Sequence, residues 1–443
     1  MRTLVYGLGD SGVAAAMTLT GRGQDVLVAD NRDDERLREI VALLEVPGVL
    51  GATPEVLDDA DRVVVSPGIS PQSHVLRAAE ARGVPIVSEV GLGLELLGGD
   101  ARVAAVTGTN GKTTVVGMIQ HMLEASGIPH AVAGNSWRPL TGCVEEVRSA
   151  GILVLEVSSF QLHYLEKPGF EVAALLNVKA DHLNWHTSFE EYVGDKLRIF
   201  EGQQADDLAL LNSEDPIGRG AKDGLEAEVL VIGRDDTAVS DGRLFLHGTH
   251  LADASELRFA GKHNHENALF AAATAENLGA GRAEIRAALL GYEPTPHRLQ
   301  VAAEVAGVTY VDDSKATNPA AVAAALQSFD VPVVLILGGS EKRTDFSELL
   351  PVLEKCRAVV SQGEAGPRIA DYLEEEGYRD VVYRATTLEE AVERAKALAR
   401  SGEVVLLSPG CASFDQFSGF AERGDAFARF ARELAANRGA VGL

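Results

Sequence analysis

The sequence predicts an α/β protein that is built from parallel sheets. Strand-like runs of Val, Leu, Ile and Ala alternate with helix-like segments along the 443-residue chain. Two glycine-rich loops, at residues 7–12 and 108–111, each stand between such a strand and such a helix. Because open parallel sheets bind ligands at the carboxyl ends of their strands, we expect the functional residues to follow the strands.

The α/β pattern begins anew three times, which predicts three domains over residues 1–93, 94–296 and 297–443. In the first domain, a strand at 3–6 leads into GLGDSG, then a helix, and then a second strand that ends at Asp30. This is the dinucleotide-binding pattern and favours NAD, although the same turn can hold the diphosphate of another nucleotide. A later strand ends in the loop Ser66-Pro67-Gly68.

The second domain begins just before AAVTGTNGKTTVV, residues 104–116. A short apolar strand, two glycines, Lys112, a Thr pair and a helix stand in the order of a nucleotide phosphate loop. The glycines let backbone N–H groups turn toward an anion, and a Thr hydroxyl can bind Mg²⁺. Val106 occupies the place of the first glycine in the longer Walker loop, so this loop is shortened. The alternative is a bare glycine turn.

Further along this domain, the apolar runs 151–159, 171–178 and DLALLN predict strands, and 189–200 and 263–279 predict helices. The short alternating runs EVLVIG and RLFLHG within 213–260 predict a small β insertion.

Three charged or titratable residues in this domain are candidates for chemistry. Glu156 ends an apolar strand, where its carboxylate could hold Mg²⁺ or could instead cap the N–H groups of Ser158 or Ser159. His182 follows another strand beside Asp181 and could bind a second metal ion or contact substrate. Lys196 shares the apolar face of its helix, so it either extends to the rim or is partly buried and neutral.

The third domain alternates the strands VTYVDDS, VPVVLILGG, RAVVSQG and EVVLLSPG with helices such as TLEEAVERAKALARSG. The loops that follow three of these strands, at 313–318, 338–342 and 408–417, concentrate Lys, Ser and Thr. Such side chains suit a small anionic substrate, and ordinary loop capping is the alternative.

Composition excludes several classes of protein. Lys and Arg number 40 against 65 Asp and Glu, and a net charge of −25 disfavours polynucleotide binding. The three cysteines are far apart, which argues against a disulfide framework or a zinc site. The start MRTLVYGLGD reads as a strand rather than a signal peptide, and no apolar run has membrane-spanning length. We therefore expect a cytoplasmic protein with no membrane contact, and a monomer, since nothing requires an oligomer.

The motifs together resemble those of the Mur ligases over nearly the whole chain. They include GLGDSG, TGTNGKTT, LEVSSFQL, NVKADHLNWH, DKLRIFEGQ, GKHNHENA, DDSKATNP, LGGSEKRTDF and SPGCASFDQF. TGTNGKT is shared by all Mur ligases and by folylpolyglutamate synthases. DSKATN and SPGCASFDQF point to the D-glutamate-adding members.

The resemblance implies a Rossmann-like first domain, a P-loop ATPase-like central domain and a Rossmann-like third domain. The first domain would bind the UDP of UDP-N-acetylmuramoyl-L-alanine rather than NAD, the central one ATP, and the third D-glutamate. The γ-phosphate of ATP would pass to the alanine carboxylate, and the amine of D-glutamate would attack the acyl phosphate. Because three domains supply the ligands, we expect the domains to close on a hinge.

The resemblance also implies roles for individual residues. Lys112 would hold the transferring phosphate, Thr113 and Glu156 one Mg²⁺, and His182 with a carbamylated Lys196 a second Mg²⁺. The ATP positions would be Gly108, Thr109, Asn110, Gly111, Lys112, Thr113, Thr114, Asn264, Asn267, His297, Arg298, Asp313 and Lys315. The UDP-substrate positions would be Gly7, Gly9, Asp10, Ser11, Gly12, Asp30, Asn31, Arg32, Ser66, Pro67, Gly68 and Asn135. The D-glutamate positions would be Thr317, Lys342, Ser413, Phe414 and Phe420.

Two departures from the family pattern stand out. Ser136 and Trp137 replace the last two residues of the usual Gly-Asn-Ile-Gly, and Asn184 replaces an Asp. Three other functions remain open at this stage: an amide ligase for another amino acid, including a folylpolyglutamate-type enzyme, a nicotinamide dehydrogenase, and a non-catalytic sensor of ATP or a UDP-sugar. DSKATN and SPGCASFDQF argue against the first, and the central phosphate loop argues against the second. The intact Lys112, Glu156, His182 and Lys196 argue against the third.

Overall fold

The computed structural model describes residues 2–179, 185–259, 261–293, 296–329, 331–341 and 344–439. Contacts divide the chain into two compact units. One unit comprises residues 1–253 and 266–290, and the other comprises residues 254–265 and 291–443. The first unit contains two parallel sheets and a small antiparallel sheet, and the second unit contains a third large sheet.

The first sheet has five parallel strands in the order β3-β2-β1-β4-β5. Its elements are β1 (Arg2–Tyr6), α1 (Asp10–Gly21), β2 (Asp25–Asp30), α2 (Glu35–Leu44), β3 (Gly48–Leu50), β4 (Arg62–Val65), α3 (His74–Arg82), β5 (Ile86–Ser88) and α4 (Glu89–Leu97). Helices cover both faces, so Leu4 and Val5 are both fully buried although they point to opposite sides. The strand order reverses between β1 and β4, and the loops after these two strands flank the crevice expected there.

The glycine-rich turn after β1 is explained by close packing. Gly7 has a φ of +95°, and a Cβ on Gly12 would lie only 1.9 Å from the carbonyl oxygen of Gly7. No side chain larger than hydrogen fits at Gly12, so helix α1 can begin directly against the loop.

The second sheet has six parallel strands in the order β11-β10-β9-β6-β8-β7. The elements of this part of the chain are β6 (Arg102–Thr107), α5 (Lys112–Ala125), β7 (Ala131–Gly134), α6 (Val144–Ala150), β8 (Ile152–Glu156), α7 (Ser159–His163), β9 (Val172–Leu175), α8 (Phe189–Leu197), β10 (Leu208–Asn212), α9 (Pro216–Ala221), β11 (Glu228–Ile232), β12 (Val239–Ser240), β13 (Arg243–Leu246), β14 (Thr249–Asp253), α10 (Lys262–Asn277) and α11 (Arg282–Gly291).

The predicted β insertion is correct only in part. RLFLHG supplies β13 of a three-stranded antiparallel sheet, as expected. EVLVIG was wrongly included in the insertion, because it forms β11 and pairs in parallel with β10 at the edge of the main sheet. An edge strand of a parallel sheet has one exposed side, so its alternating sequence resembles that of an independent β ribbon.

The third sheet has the order β15-β16-β20-β17-β18-β19, in which only β15 runs antiparallel to its neighbour. Its elements are β15 (Gln300–Val305), β16 (Val308–Asp312), α12 (Pro319–Gln327), β17 (Val333–Gly338), β18 (Cys356–Gln362), α13 (Gly366–Leu373), β19 (Val382–Arg384), α14 (Leu388–Leu398), β20 (Val404–Leu407) and α15 (Phe420–Gly439). The sequence analysis did not predict β15. A two-residue hairpin joins it to β16, and Ala306 and Gly307 both have positive φ there.

The predicted α/β class with parallel sheets is confirmed. The domain limits at 93/94 and 296/297 stay predictions. Within the part of the chain that the structure describes, every helix is too short or too polar to cross a membrane.

Candidate active site

The shortened phosphate loop lies between β6 and α5, as predicted. Gly108 and Gly111 have φ values of +157° and +91°, and Gly111 precedes the helix without any side chain capping the helix N–H groups. Asn177, at the end of the neighbouring strand, accepts the Thr109 and Asn110 amide protons through its backbone and side-chain oxygens, at 2.8 and 2.9 Å. The loop is therefore braced from outside, while the first turn of α5 keeps amides available for an anion.

Two lysines meet at one carbonyl of this loop. The Lys112 ammonium donates to the carbonyl oxygens of Gly108 (2.7 Å) and Thr109 (3.1 Å). Lys196 donates to the same Gly108 oxygen at 2.9 Å and is only 2% exposed. The expectation that Lys196 could extend to the rim is wrong, because helix α8 directs it toward the loop, where its Nζ lies 4.8 Å from the centre of the Tyr192 ring. Helical periodicity alone cannot reveal that polar partner.

Asp195 anchors the helix that carries Lys196. Its Oδ2 lies 2.8 Å from Nδ1 of His163 and 3.2 Å from Nδ1 of His186, and its Oδ1 lies 3.3 Å from Nε of Arg198. Burial disfavours the charged carboxylate, but the two histidines outweigh burial and lower the pKa of Asp195 below its usual value. This network fixes the end of α8 and so places Lys196.

Glu156 stands at the end of β8, beside Val106 of β6, and is completely buried. Its Oε1 accepts hydrogen bonds from the Ser136 hydroxyl (2.8 Å) and the Asn135 amide (3.0 Å), and its Oε2 accepts one from the Trp137 indole (3.1 Å).

For Ser158, the alternative role of Glu156 as a cap on the next helix is wrong. The N–H of Ser158 donates to the side chain of Gln161 instead, at 2.9 Å. The Thr113 hydroxyl donates to that of Ser136 at 3.3 Å, so Ser136 links both predicted magnesium ligands. Hydroxyl and carboxylate oxygens form a donor set that fits Mg²⁺.

A cavity of about 640 Å³ opens where the first sheet meets the loop after β7. Of the twelve predicted UDP-substrate positions, eleven line it, and the twelfth, Gly12, packs behind the turn. Six residues that the sequence analysis did not assign also line it: Leu8, Ile69, Gly134, Trp137, Pro139 and Gln161. The N-terminus of α1, without a side-chain cap, faces this region and suits an anionic group.

Asp30 organises one side of the cavity. Its Oδ2 accepts the Leu8 amide and its Oδ1 the Arg32 amide, both at 3.0 Å, and the Arg32 guanidinium lies 3.2 Å from Oδ1. Burial alone would raise the pKa of Asp30, but these hydrogen bonds outweigh it and lower the pKa. Asp30 is therefore a fixed anion that holds Arg32 at the cavity.

In the second unit, the three predicted loops meet at the carboxyl ends of the adjacent strands β16, β20 and β17. Asp313 accepts a hydrogen bond from Ser408 (2.7 Å), and the Asp415 amide donates to Ser340 (3.0 Å). Arg423, which the sequence analysis did not select, is 1% exposed and donates to Ser314 and to the carbonyls of Cys411 and Ala412. The sequence RGDAF at residues 423–427 was the available signal, but only the tertiary contacts show that Arg423 connects two loops.

His297 and its neighbours form the other side of this loop cluster. Nδ1 of His297 lies 2.7 Å from Oδ2 of Asp312, and the Lys315 amide donates to the His297 carbonyl at 3.0 Å. The Lys315 ammonium lies 5.8 Å from the centre of the Phe420 ring. Burial raises the pKa of Asp312 and that of Asp313, the latter to about 7. Thus Asp313, Lys315, His297 and Phe420 are brought together.

The remaining predicted positions are placed as follows. Ser413 is buried, Phe414 is 71% exposed, and Thr317 is exposed. Asn267 lies against Gly111 of the phosphate loop. A Cβ added to Gly111 would lie 2.8 Å from Oδ1 of Asn267. Asn264 is buried near the start of α10. His182 and Lys342 lie outside the described residues.

Three family models match this chain in succession. Residues 1–88 match the Mur ligase MurD-like N-terminal domain, residues 106–275 the Mur ligase middle domain, and residues 297–411 the glutamate ligase domain of Mur ligases. A curated relative in Rubrobacter xylanophilus is 65% identical over 99% of this chain and 100% of its own length, and is named UDP-N-acetylmuramoylalanine–D-glutamate ligase. The chain belongs to the Mur ligase family. The resemblance seen in the motifs is confirmed.

More distant relatives of this Mur ligase agree. A ligase of the same name from Pelotomaculum thermopropionicum is 37% identical over 96% of both chains. Among solved structures, MurF ligase from Thermotoga maritima in complex with ADP matches with a TM-score of 0.60 over 93% of this chain and 95% of its own, at 16% identity. A pseudomurein peptide ligase from Methanothermus fervidus matches with a TM-score of 0.56 over 99% of both chains, at 19% identity. These two likenesses concern the fold of this Mur ligase.

Proposed function

We propose that this Mur ligase joins D-glutamate to UDP-N-acetylmuramoyl-L-alanine at the expense of ATP, releasing ADP and phosphate. The observation that carries the proposal is the meeting of Lys112 and Lys196 at the Gly108 carbonyl of a short phosphate loop, next to the buried Glu156. The choice of D-glutamate and of the UDP substrate rests on the name of the 65% identical relative, which aligns over its full length.

The phosphate loop handles the transferring group. The available backbone N–H groups at the start of α5 face the phosphates, and Lys112 neutralises the group that moves. Thr113 and Glu156 would hold one Mg²⁺, which would neutralise charge on the phosphoryl oxygens. Lys196, once carbamylated by CO₂, and His182 would hold a second Mg²⁺. Carbamylation would convert an amine, which Mg²⁺ does not favour, into an oxygen ligand.

The chemistry proceeds in two displacements. An oxygen of the alanine carboxylate attacks the γ-phosphorus, the bond to ADP breaks, and an acyl phosphate forms. The D-glutamate amine then attacks the acyl carbon, phosphate leaves with the former carboxylate oxygen, and the nitrogen loses a proton. The protein contributes mainly position and charge: the loop and Lys112 align the phosphoryl group, and the cavity beside Asn135 orients the acceptor.

The cavity of the first sheet holds the UDP group, with its phosphates at the start of α1 and the loop 66–68 opposite. In the third sheet, Thr317, Lys342, Ser413, Phe414 and Phe420 hold D-glutamate. Asn264, Asn267, His297, Arg298, Asp313 and Lys315 contact ATP. We assign the three sheets to domains 1–93, 94–296 and 297–443, acting in a cytoplasmic monomer.

The test is phosphate release from ATP and Mg²⁺ with UDP-N-acetylmuramoyl-L-alanine, in parallel with D-glutamate, L-glutamate, L-lysine or no amino acid. We expect release only with D-glutamate. Lys112→Ala should lower the rate by at least about 100-fold, because the transition state loses a charged partner. Lys222→Ala, which changes an exposed lysine far from the loop in sequence, should leave the rate unchanged.

Phosphate release with a different amino acid would identify that amino acid as the substrate in place of D-glutamate. No release with any amino acid, although ATP binds, would refute the ligase proposal.

A further inference from the structure

The turn after β7 carries two of the residues, Ser136 and Trp137, that depart from the usual family pattern, and the structure gives both of them the same partner. Ser136 and Trp137 donate to different oxygens of Glu156, at 2.8 and 3.1 Å. The Asn135 amide donates to the Glu156 backbone carbonyl at 2.9 Å, and the Trp137 amide to that of Gly134 at 3.0 Å. The turn is therefore tied to the end of β8 through both backbone and side chains.

These contacts restrict how Glu156 can bind a cation. A carboxylate offers about four lone-pair positions, and here three of them accept hydrogen bonds from Asn135, Ser136 and Trp137. The remaining lone pair has one fixed direction, because the side chain is fully buried and cannot rotate without breaking those bonds. All three donors are neutral, so they orient the negative charge without cancelling it, and the carboxylate remains suited to a cation.

Trp137 also belongs to a second region. Its indole N–H holds Glu156, while the residue lines the 640 Å³ cavity together with Asn135 and Pro139. One side chain thus contacts the predicted cation ligand and the predicted nucleotide-sugar cavity. Glycine, which the family usually has here, could make neither contact.

We propose that Trp137, assisted by Ser136, is a positioning residue that fixes Glu156 for its divalent cation and ties that ligand to the wall of the nucleotide-sugar cavity. The inference rests on the proposed function for the identity of the cation site. Groups that hydrogen-bond to a ligating carboxylate set its orientation, and their loss lowers metal affinity by about 10- to 100-fold.

The experiment measures Mn²⁺ binding directly, with Mn²⁺ as a paramagnetic substitute for Mg²⁺ at an oxygen-rich site. Free Mn²⁺ is counted by electron paramagnetic resonance in the presence of ADP and the full-length protein, without amino acid and without turnover. Trp137→Phe keeps an aromatic ring but removes the N–H donor. We expect its Mn²⁺ dissociation constant to rise about 10-fold or more, with a melting temperature close to that of the parent protein.

The chain offers a matched control. Trp185, its only other tryptophan, donates its indole N–H to the Ile69 carbonyl at 3.1 Å rather than to Glu156. Trp185→Phe therefore loses the same kind of hydrogen bond and should leave Mn²⁺ affinity unchanged. That variant also retains Trp137 as its sole tryptophan, so its fluorescence should change when Mn²⁺ binds.

Ser136→Ala provides a second variant in case Trp137→Phe does not fold, because Ser136 is exposed and the change is small. It should also weaken Mn²⁺ binding. Mn²⁺ affinity within about 2-fold of the parent in both variants would overturn the inference, as would an absence of Mn²⁺ binding in the parent. Failure of D-glutamate-dependent phosphate release would count against the ligase proposal alone, since the Mn²⁺ measurement involves no turnover.

Discussion

Asp313 is a buried carboxyl whose two oxygens both accept hydrogen bonds, from the Ser408 hydroxyl (2.7 Å) and the Leu299 amide (3.3 Å). Burial raises its pKa to about 7, although Ser408 and the nearby Arg298 act in the opposite direction. The folded protein therefore keeps a proton that the unfolded chain releases near its ordinary pKa of 3.8. Since the folded pKa is the higher one, this group's contribution to stability falls as pH rises from about 4 to about 7, and then levels off.

Replacing Asp313 by Asn should remove this pH dependence, because an amide does not titrate. Relative to the parent, the free energy of unfolding of Asp313→Asn should rise by a few kcal/mol between pH 5 and pH 8. Urea denaturation at both pH values measures it. Asp223→Asn, at an exposed position, is the control and should show no such change. If the free energies of unfolding of Asp313→Asn and the parent differ by the same amount at pH 5 and pH 8, Asp313 is already ionised at pH 5.

Helix α15 illustrates how an element can depend on one small residue. Its Gly424 faces the pair formed by His297 and Asp312, and a Cβ there would lie 2.0 Å from Nδ1 of His297 and 2.6 Å from Oδ2 of Asp312. The preceding residue, Arg423, enters the loops after β16 and β20. The helix can approach the sheet closely enough for Arg423 to bind only because Gly424 has no side chain.

Gly424→Ala should therefore push the helix away or break the bond between His297 and Asp312. We expect a loss of about 1–3 kcal/mol of stability, as for other overpacked sites, measured by thermal or urea unfolding. Gly419→Ala is a suitable control, because a Cβ at Gly419 would meet nothing within 4 Å. A fully stable Gly424→Ala protein would contradict the close packing described here.

At the scale of the whole molecule, the dominant property is the net charge of −25. Such a charge destabilises the compact state through self-repulsion and opposes binding to polyanions. Salt shortens the range of repulsion, to about 10 Å at 0.1 M. The predicted ligands are small anions, so their recognition must depend on local groups, such as helix N-termini and Lys112, rather than on the overall field.

Raising NaCl from about 20 to about 150 mM at pH 7.5 should increase the melting temperature by roughly 2–4 °C, equivalent to about 1 kcal/mol for a unit of 150–250 residues. Differential scanning calorimetry measures the change. The same comparison near pH 5, close to the sequence isoelectric point of about 4.8, is the control and should show little or no increase. Equal increases at both pH values would assign the effect to something other than net charge.

The local elements could be predicted from the sequence because their signals are local. The glycine turns at 7–12 and 108–111, the buried strands and the helix at Lys262–Asn277 all follow from residue type and periodicity. The strand β15 and the parallel pairing of β11 could not be predicted, since pairing depends on residues distant in sequence.

The sequence by itself determined the α/β class, the phosphate loop and the cavity-lining turns. Each of these requires particular residue types at short spacing, above all glycine where a Cβ would collide. Only the tertiary structure decided that Lys196 is buried against Gly108 and that Arg423 connects two loops through hydrogen bonds. It alone also showed that Ser136 and Trp137 donate hydrogen bonds to Glu156. The physical reason is that burial and hydrogen bonding join residues many positions apart, and a buried charged group acquires its role from the partners that folding brings to it.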